Sequence, residues 1–153
     1  MSKSLSLAGF LPYRCNSLAQ KISFSLSRIY VDRFGITVPE WRVLVTLAEY
    51  GELQSRRIGE LTSMDKVRVS RAVSGLSARG LLQRRPCDRD SRASLLCLSD
   101  TGAELYQRIE PEVLAWEEAL LQPLSTTERE SLFVLIDKLD LRLATMPAVE
   151  PPP

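Results

Sequence analysis

The chain has 153 residues, with 20 Lys or Arg against 19 Asp or Glu, a net charge of +1, and an apolar fraction of 44%. Its length and balance suit one globular domain, or two small lobes sharing helices. Histidine is absent and Cys15, Cys87 and Cys97 are widely spaced, which excludes imidazole catalysis, a disulfide framework and a zinc-ligand pattern. No phosphate-cradling glycine loop is present, and no convincing pairing of carboxylates or lysine suggests catalysis. We therefore expect no enzyme, no cofactor and no metal. Serines interrupt "SLSLAGF" near the N-terminus, against a signal peptide. No apolar run approaches the roughly 18 residues that span a bilayer. A cytoplasmic protein with no membrane partner is expected.

Leu11, Cys15, Leu18, Ile22, Leu26 and Ile29 recur at helical steps, so a first amphipathic helix is predicted from Pro12 to about Arg33, ending at Gly35. A second is predicted from about Pro39 to Tyr50, with Trp41, Leu44, Val45, Leu47 and Ala48 inward and Gly51 as the stop. A short third helix follows from about Arg56 to Thr62, capped by Ser55. The fourth starts at Asp65, a good N-cap, and stops at Gly80. Its buried stripe is Val69, Ala72, Val73 and Leu76. "LLQRR" and "SLLCL" around the turn "PCDRDS" read as a β-hairpin, with Pro86 suited to an edge or bend. Ser99 caps a long helix to about Leu121, bent near Pro111. "STTE" at Ser125–Glu128 has capping-box spacing and opens a last helix bearing Leu132, Leu135, Ile136, Leu139 and Leu143. The proline-rich tail reads as disordered.

The fold class is thus mainly α with a small β-hairpin (α+β). A winged helix-turn-helix lobe at 36–98 is flanked by helical regions at 11–35 and 99–145 and a disordered tail at 146–153. The flanking helices carry apolar stripes that one thin lobe cannot cover, so a homodimer of interdigitated terminal helices is expected.

Charge is segregated along the chain. From Ser55 to Arg92 there are ten basic residues against four acidic, and from Ser99 to Thr145 four basic against ten acidic. The basic block contains the fourth helix, whose outward residues suit a major groove. Arg68 and Arg71 can donate to guanine, Ser70 and Ser74 can make short contacts, and Lys66 at the helix start can meet a phosphate. At the hairpin tip, Arg89 and Arg92 are candidates for a minor groove, with Asp90 orienting Arg92. Double-stranded DNA with a near-palindromic operator is the expected partner.

"DKVRVSRAVSGLSARGLLQRRPCDRDSRASLLCLSDTG", with "ITVPEWRVLVTL" upstream, resembles the signature of the MarR family of multiple antibiotic resistance regulators. The shared features are the Asp-Lys start, the "VSRAVSGL" helix and the Gly-Leu turn into the first strand. Further matches are the Asp-x-Arg wing of Asp90 and Arg92 and the Leu98–Ser99 entry with Gly102 following. Ser91, where arginine is frequent, and Gly75 within the reading helix depart from the pattern. The resemblance spans about Leu11 to Leu143 and implies a dimeric winged-helix transcriptional repressor released by a small molecule or an oxidant.

Family ligands bind in the crevice between dimer helices and reading lobe. The corresponding residues here are Tyr13, Arg14, Ser17, Trp41 and Arg42. "LPYR" with "PEWRVL" resembles the branch that responds to aromatic carboxylates or their coenzyme A thioesters, and rings with guanidinium groups suit such acids. Trp41 as core, with both arginines tying helices together, is the structural alternative. Two rival functions remain: a thiol-based sensor using Cys15, near a helix N-terminus, and a winged helix that binds protein. Cys97, in a strand pattern, reads as inert.

Overall fold

A computed structural model describes residues 5–87 and 90–147, and of Cys87 and residues 90–93 it describes the backbone alone. After a 3-10 turn at Leu7–Gly9, the order is α1 (Leu11–Phe34), α2 (Val38–Tyr50), α3 (Ser55–Thr62), α4 (Lys66–Ala78), β1 (Leu82–Cys87), β2 (Asp90–Leu98), α5 (Asp100–Leu121) and α6 (Thr126–Thr145). This is the helix-rich, one-hairpin architecture expected. The chain divides into two compact units, Met1–Leu114 and Ala115–Pro153, so the division falls within α5.

In the first unit, α2, α3 and α4 pack on one another. Thr37 opens α2 with a full capping box, its side chain accepting from the Glu40 amide while the Glu40 carboxylate accepts from the Thr37 amide. Val43, Leu44, Leu47, Ile58, Val69, Val73 and Leu76 form the buried centre. Two details of the sequence reading change. Ala48 is exposed, whereas Val43 is fully buried, because the inward face of α2 runs through Glu40, Trp41, Val43, Leu44 and Leu47 and leaves Ala48 beyond its edge. Ser55 is the first residue of α3 rather than its cap; Gln54 holds that position and makes no side-chain cap bond. Trp41 is 7% exposed and is sandwiched between Tyr30 of α1 (5.2 Å between ring centroids) and Tyr106 of α5 (5.8 Å). One indole thereby joins three helices.

β1 and β2 pair antiparallel from Leu82 opposite Leu98 to Pro86 opposite Ser94, with a register shift between Pro86 and Cys87. Pro86 therefore lies in a two-stranded edge beside an irregularity, where a missing amide donor is tolerated. Leu53 adds an isolated bridge, its amide donating to the Leu96 carbonyl at 3.0 Å and its carbonyl accepting from the Leu96 amide at 2.8 Å. This fixes the α2–α3 connection to the root of the hairpin.

Ser99 locks that root. Its hydroxyl donates to the Gly80 carbonyl at 2.7 Å and accepts from the Gly102 amide at 3.0 Å, and its own amide donates to the Leu81 carbonyl at 3.0 Å. The end of α4 and the start of α5 are thus held backbone to backbone. The approach is close enough that a Cβ on Gly102 would collide with the Leu81 carbonyl. α5 then continues as helix through Pro111.

In the second unit, Ser125 and Glu128 form the expected capping box. Arg129 bonds Glu118 and the Leu121 and Leu124 carbonyls, closing the α5–α6 turn. Leu132, Leu135, Ile136, Leu139 and Leu143 of α6 are all exposed in the single chain, as are Leu11 and Leu18 of α1.

Gly102→Ala should cost about 2–3 kcal/mol, because the obstacle is backbone that cannot rotate away. Gly9→Ala, with open space around its Cβ, should stay within about 0.5 kcal/mol. Urea denaturation of both variants measures the difference.

Candidate nucleic-acid interface

Asp65 begins α4 by accepting from the Arg68 amide at 2.9 Å, as its position before the apolar stripe predicts. Val69, Ala72, Val73 and Leu76 are buried. Lys66, Arg68, Ser70, Arg71 and Ser74, the five helix residues expected to meet DNA, are all exposed. They are not equivalent. With the buried stripe fixed, helical geometry sets Arg71 and Ser74 on the crest opposite the core and Arg68 and Ser70 on its flanks. Arg68 is also drawn back toward Asp65, with Nε 3.4 Å from the carboxylate. Lys66 turns toward α3, where it lines a hollow of about 540 Å³ with Ser55, Arg56, Glu60 and Met64.

Several cations of the basic block have internal partners. Arg56 and Arg57 both bind Glu60, whose carboxyl they hold below the usual range, Arg57 the more strongly. Arg85 binds Glu52 at 2.7 Å. Arg84 bonds the Ser94 hydroxyl at 3.4 Å. Arg79 leaves the C-terminal end of α4 to donate to the Gly35 and Phe34 carbonyls at 3.0 and 3.1 Å, which ties α4 to the end of α1. Among the described residues, Lys66 and Arg71 make no ion pair or hydrogen bond through their side chains. Of the described cations of that block, Lys66 and Arg71 of α4 are the two without an internal partner.

α4 crosses α2 at Gly75, beside the Glu40 carboxylate. A Cβ there would overlap the Glu40 carboxylate, which is 9% exposed and held by the Thr37 amide at 2.8 Å and hydroxyl at 2.9 Å. The glycine that looked out of place in a reading helix is the contact that lets the helix lie close to α2.

Of the wing residues, Arg89 lies outside the described residues, and so do the side chains of Asp90 and Arg92. The effector residues fall in two hollows rather than one. Tyr13, Arg14 and Ser17 line a cavity of about 600 Å³ with Cys15 and Lys21. Trp41 and Arg42 line another of about 500 Å³ with Tyr30, Val38 and Thr46. Burial pushes the Tyr30 hydroxyl pKa up, and the positive Arg42 nearby offsets part of that rise. Tyr106 is pushed up to about 12, by burial first and then by its hydrogen bond to Glu110 and the Glu110 and Glu49 charges. Cys15 is exposed and Cys97 buried.

Residues 34–93, the end of α1 through the hairpin, match a family profile described as "MarR family". Over that segment the chain is similar to the MarR family. A solved MarR/EmrR family transcriptional regulator from Acinetobacter sp. ADP1 is 27% identical and superposes with a TM-score of 0.85 over 93% of this chain and all of that one. The PcaV transcriptional regulator from Streptomyces coelicolor, solved in complex with its natural ligand, is 26% identical with a TM-score of 0.74 over 90% of this chain and 96% of that one. The HTH-type transcriptional regulator YwoH of Bacillus subtilis is 27% identical over 101 residues, 66% of this chain and 73% of its own. Like these regulators, the chain has a winged helix, and it is a DNA-binding transcriptional regulator. Among the described residues, no helix is long and apolar enough to cross a membrane.

One α4 residue escaped the sequence reading. Val67 is 57% exposed and stands on the same crest as Arg71 and Ser74. Its i, i+4, i+7 spacing with Arg71 and Ser74 is the sequence signal that marks it.

Gly75→Ala should lower stability by about 1–2 kcal/mol despite alanine's better helix propensity and weaken DNA binding by tilting α4. In a Glu40→Ala background the same change should be nearly neutral. A double-mutant cycle by denaturation, with gel-shift titration alongside, reads both effects.

Proposed function

We propose that the chain is a ligand-responsive, homodimeric repressor that reads a near-palindromic operator with α4 in the major groove and is released by a small aromatic acid or its coenzyme A thioester. The observation that carries the DNA reading is the crest of α4, where Arg71 stands exposed and unpaired above a core that fixes the helix rigidly. In the groove Arg71 donates to a guanine edge, Ser74 makes short contacts, and Lys66, off the crest, meets a phosphate. Arg68 and Ser70 contact the groove walls. Arg89 and Arg92 of the wing reach the adjacent minor groove, with Asp90 orienting Arg92. The unshielded stripes of α1 and α6 support a second copy as their cover. Two reading helices then face half-sites about 10 base pairs apart.

For the effector, the support is the pair of hollows along α1, each within the size range of small-molecule sites. One offers Tyr13, Arg14 and Ser17, the other the Trp41 face and the Arg42 guanidinium. An aromatic ring with a carboxylate suits both sets, and a similar regulator, PcaV, has been solved with its natural ligand. Filling the first hollow biases α1, and filling the second biases α1 and α2, and with them the spacing of the two reading helices. Because the operator fixes that spacing, an effector that favours another spacing lowers DNA affinity by linkage.

Arg71→Ala should relax preference at one base position per half-site at a cost of about 1–3 kcal/mol. Lys66→Ala should weaken all sequences alike and flatten the salt dependence. Gel-shift titrations over a selected duplex and its single-base variants, at two salt concentrations, measure both. Unchanged base preference in Arg71→Ala would refute the placement.

A panel of benzoic and hydroxybenzoic acids and their coenzyme A thioesters should contain a compound that lowers operator affinity, with coupling of about 1–3 kcal/mol. Arg14→Ala or Arg42→Ala should blunt that response and leave ligand-free binding intact, while Cys15→Ser retains it. Release by hydroperoxide that vanishes in Cys15→Ser, with no acid active, would replace the effector reading with thiol sensing.

A further inference from the structure

Val67 is the large apolar side chain on the reading crest of α4. It is 57% exposed, lies at the N-terminal turn of the helix, and is followed at i+4 by Arg71 and at i+7 by Ser74. That turn is the part of a reading helix that reaches deepest toward base edges. We infer that Val67 reads the 5-methyl group of a thymine in each half-site, within two base pairs of the guanine read by Arg71. The inference rests on the proposed placement of α4 in the major groove.

The chemistry narrows the target to one base. Of the four bases, thymine alone presents a methyl group in the major groove, and the other edges present donors and acceptors. A valine can satisfy none of those donors or acceptors, so it gains affinity only from apolar contact. It also discriminates negatively. Set against cytosine it would strip water from the exocyclic amine and leave that donor unpaired. The register follows from helix rise: four residues span about 6 Å along the axis, less than two base-pair steps of 3.4 Å. Arg68 does not compete for this position, because its guanidinium is held beside Asp65 on the flank. Neither does Lys66, which faces the hollow against α3. The contact is independent of the core, since Val67 belongs to no buried cluster. Truncating it should leave the fold unchanged.

The test uses the full chain and a duplex that it selects from a randomised pool. Each thymine of that duplex is replaced singly by uracil, which removes the methyl and nothing else. Affinity is then measured for the wild type, Val67→Ala and Arg71→Ala. The expected result is one thymine per half-site at which uracil weakens the wild type about three- to fivefold, the worth of roughly one buried methyl. At that position Val67→Ala should bind thymine and uracil duplexes equally. It should lie within two base pairs of the guanine whose preference Arg71→Ala loses. A flat uracil profile for the wild type, or the same uracil sensitivity in Val67→Ala, overturns the assignment of Val67 while a relaxed guanine preference in Arg71→Ala keeps the groove placement. If Arg71→Ala instead retains the wild-type base preference, the groove placement fails and the Val67 contact with it.

Discussion

The close crossing of α4 over α2 at Gly75 and Glu40 is the constraint on which the reading surface depends. A buried carboxylate is costly unless its oxygens find donors, and Glu40 finds them in the Thr37 amide and hydroxyl. That same bond pattern is the capping box that starts α2. The group that begins one helix therefore lies against the next, and a Cβ added at Gly75 would have to displace the Glu40 carboxylate. Moving either partner disturbs helix initiation and helix packing together.

The other end of α4 is fixed by polar bonds of a different kind. Ser99 joins the Gly80 and Leu81 carbonyls to the start of α5, and Arg79 joins the last turn of α4 to the α1 carbonyls at Phe34 and Gly35. Hydrogen bonds are directional, so these contacts set orientation as well as proximity. α4 is therefore answerable to three helices at once: α2 through Gly75, α5 through Ser99, α1 through Arg79. The Tyr30–Trp41–Tyr106 stack couples the same three neighbours to one another. A change along α1 or α2 cannot be absorbed locally, because packed interiors have little slack. This is the physical basis on which occupancy of a hollow beside Trp41 can reach the reading face.

Electrostatics divides the labour among the cations. The basic block is strong as a count, yet Arg56, Arg57, Arg68 and Arg85 face carboxylates, and such exposed pairs add little to stability. Their use is to hold guanidinium groups in place while reducing the unspecific positive field. Among the described residues, Arg71 and Lys66 face no carboxylate. A surface of this kind favours register over indiscriminate attraction.

The sequence by itself determined the order of elements, the caps at Asp65 and Ser125, the inward stripe of α4 and the basic character of its other face. These follow from local rules: cap chemistry, glycine stops and helical periodicity act within a few residues. It also carried the family signature through the hairpin. What only the tertiary structure decided are facts about pairs distant in the chain. That Gly75 is required by Glu40, that Arg79 belongs to the end of α1, and that Arg85 belongs to Glu52 could not be read from spacing, since each joins residues at least 33 positions apart. The burial of Val43 in place of Ala48 likewise depended on the angle at which α2 meets its neighbours. The family resemblance implies one crevice shared by Tyr13 and Trp41. They line separate hollows because α1 is long enough to carry Tyr13 well past the point where Trp41 packs.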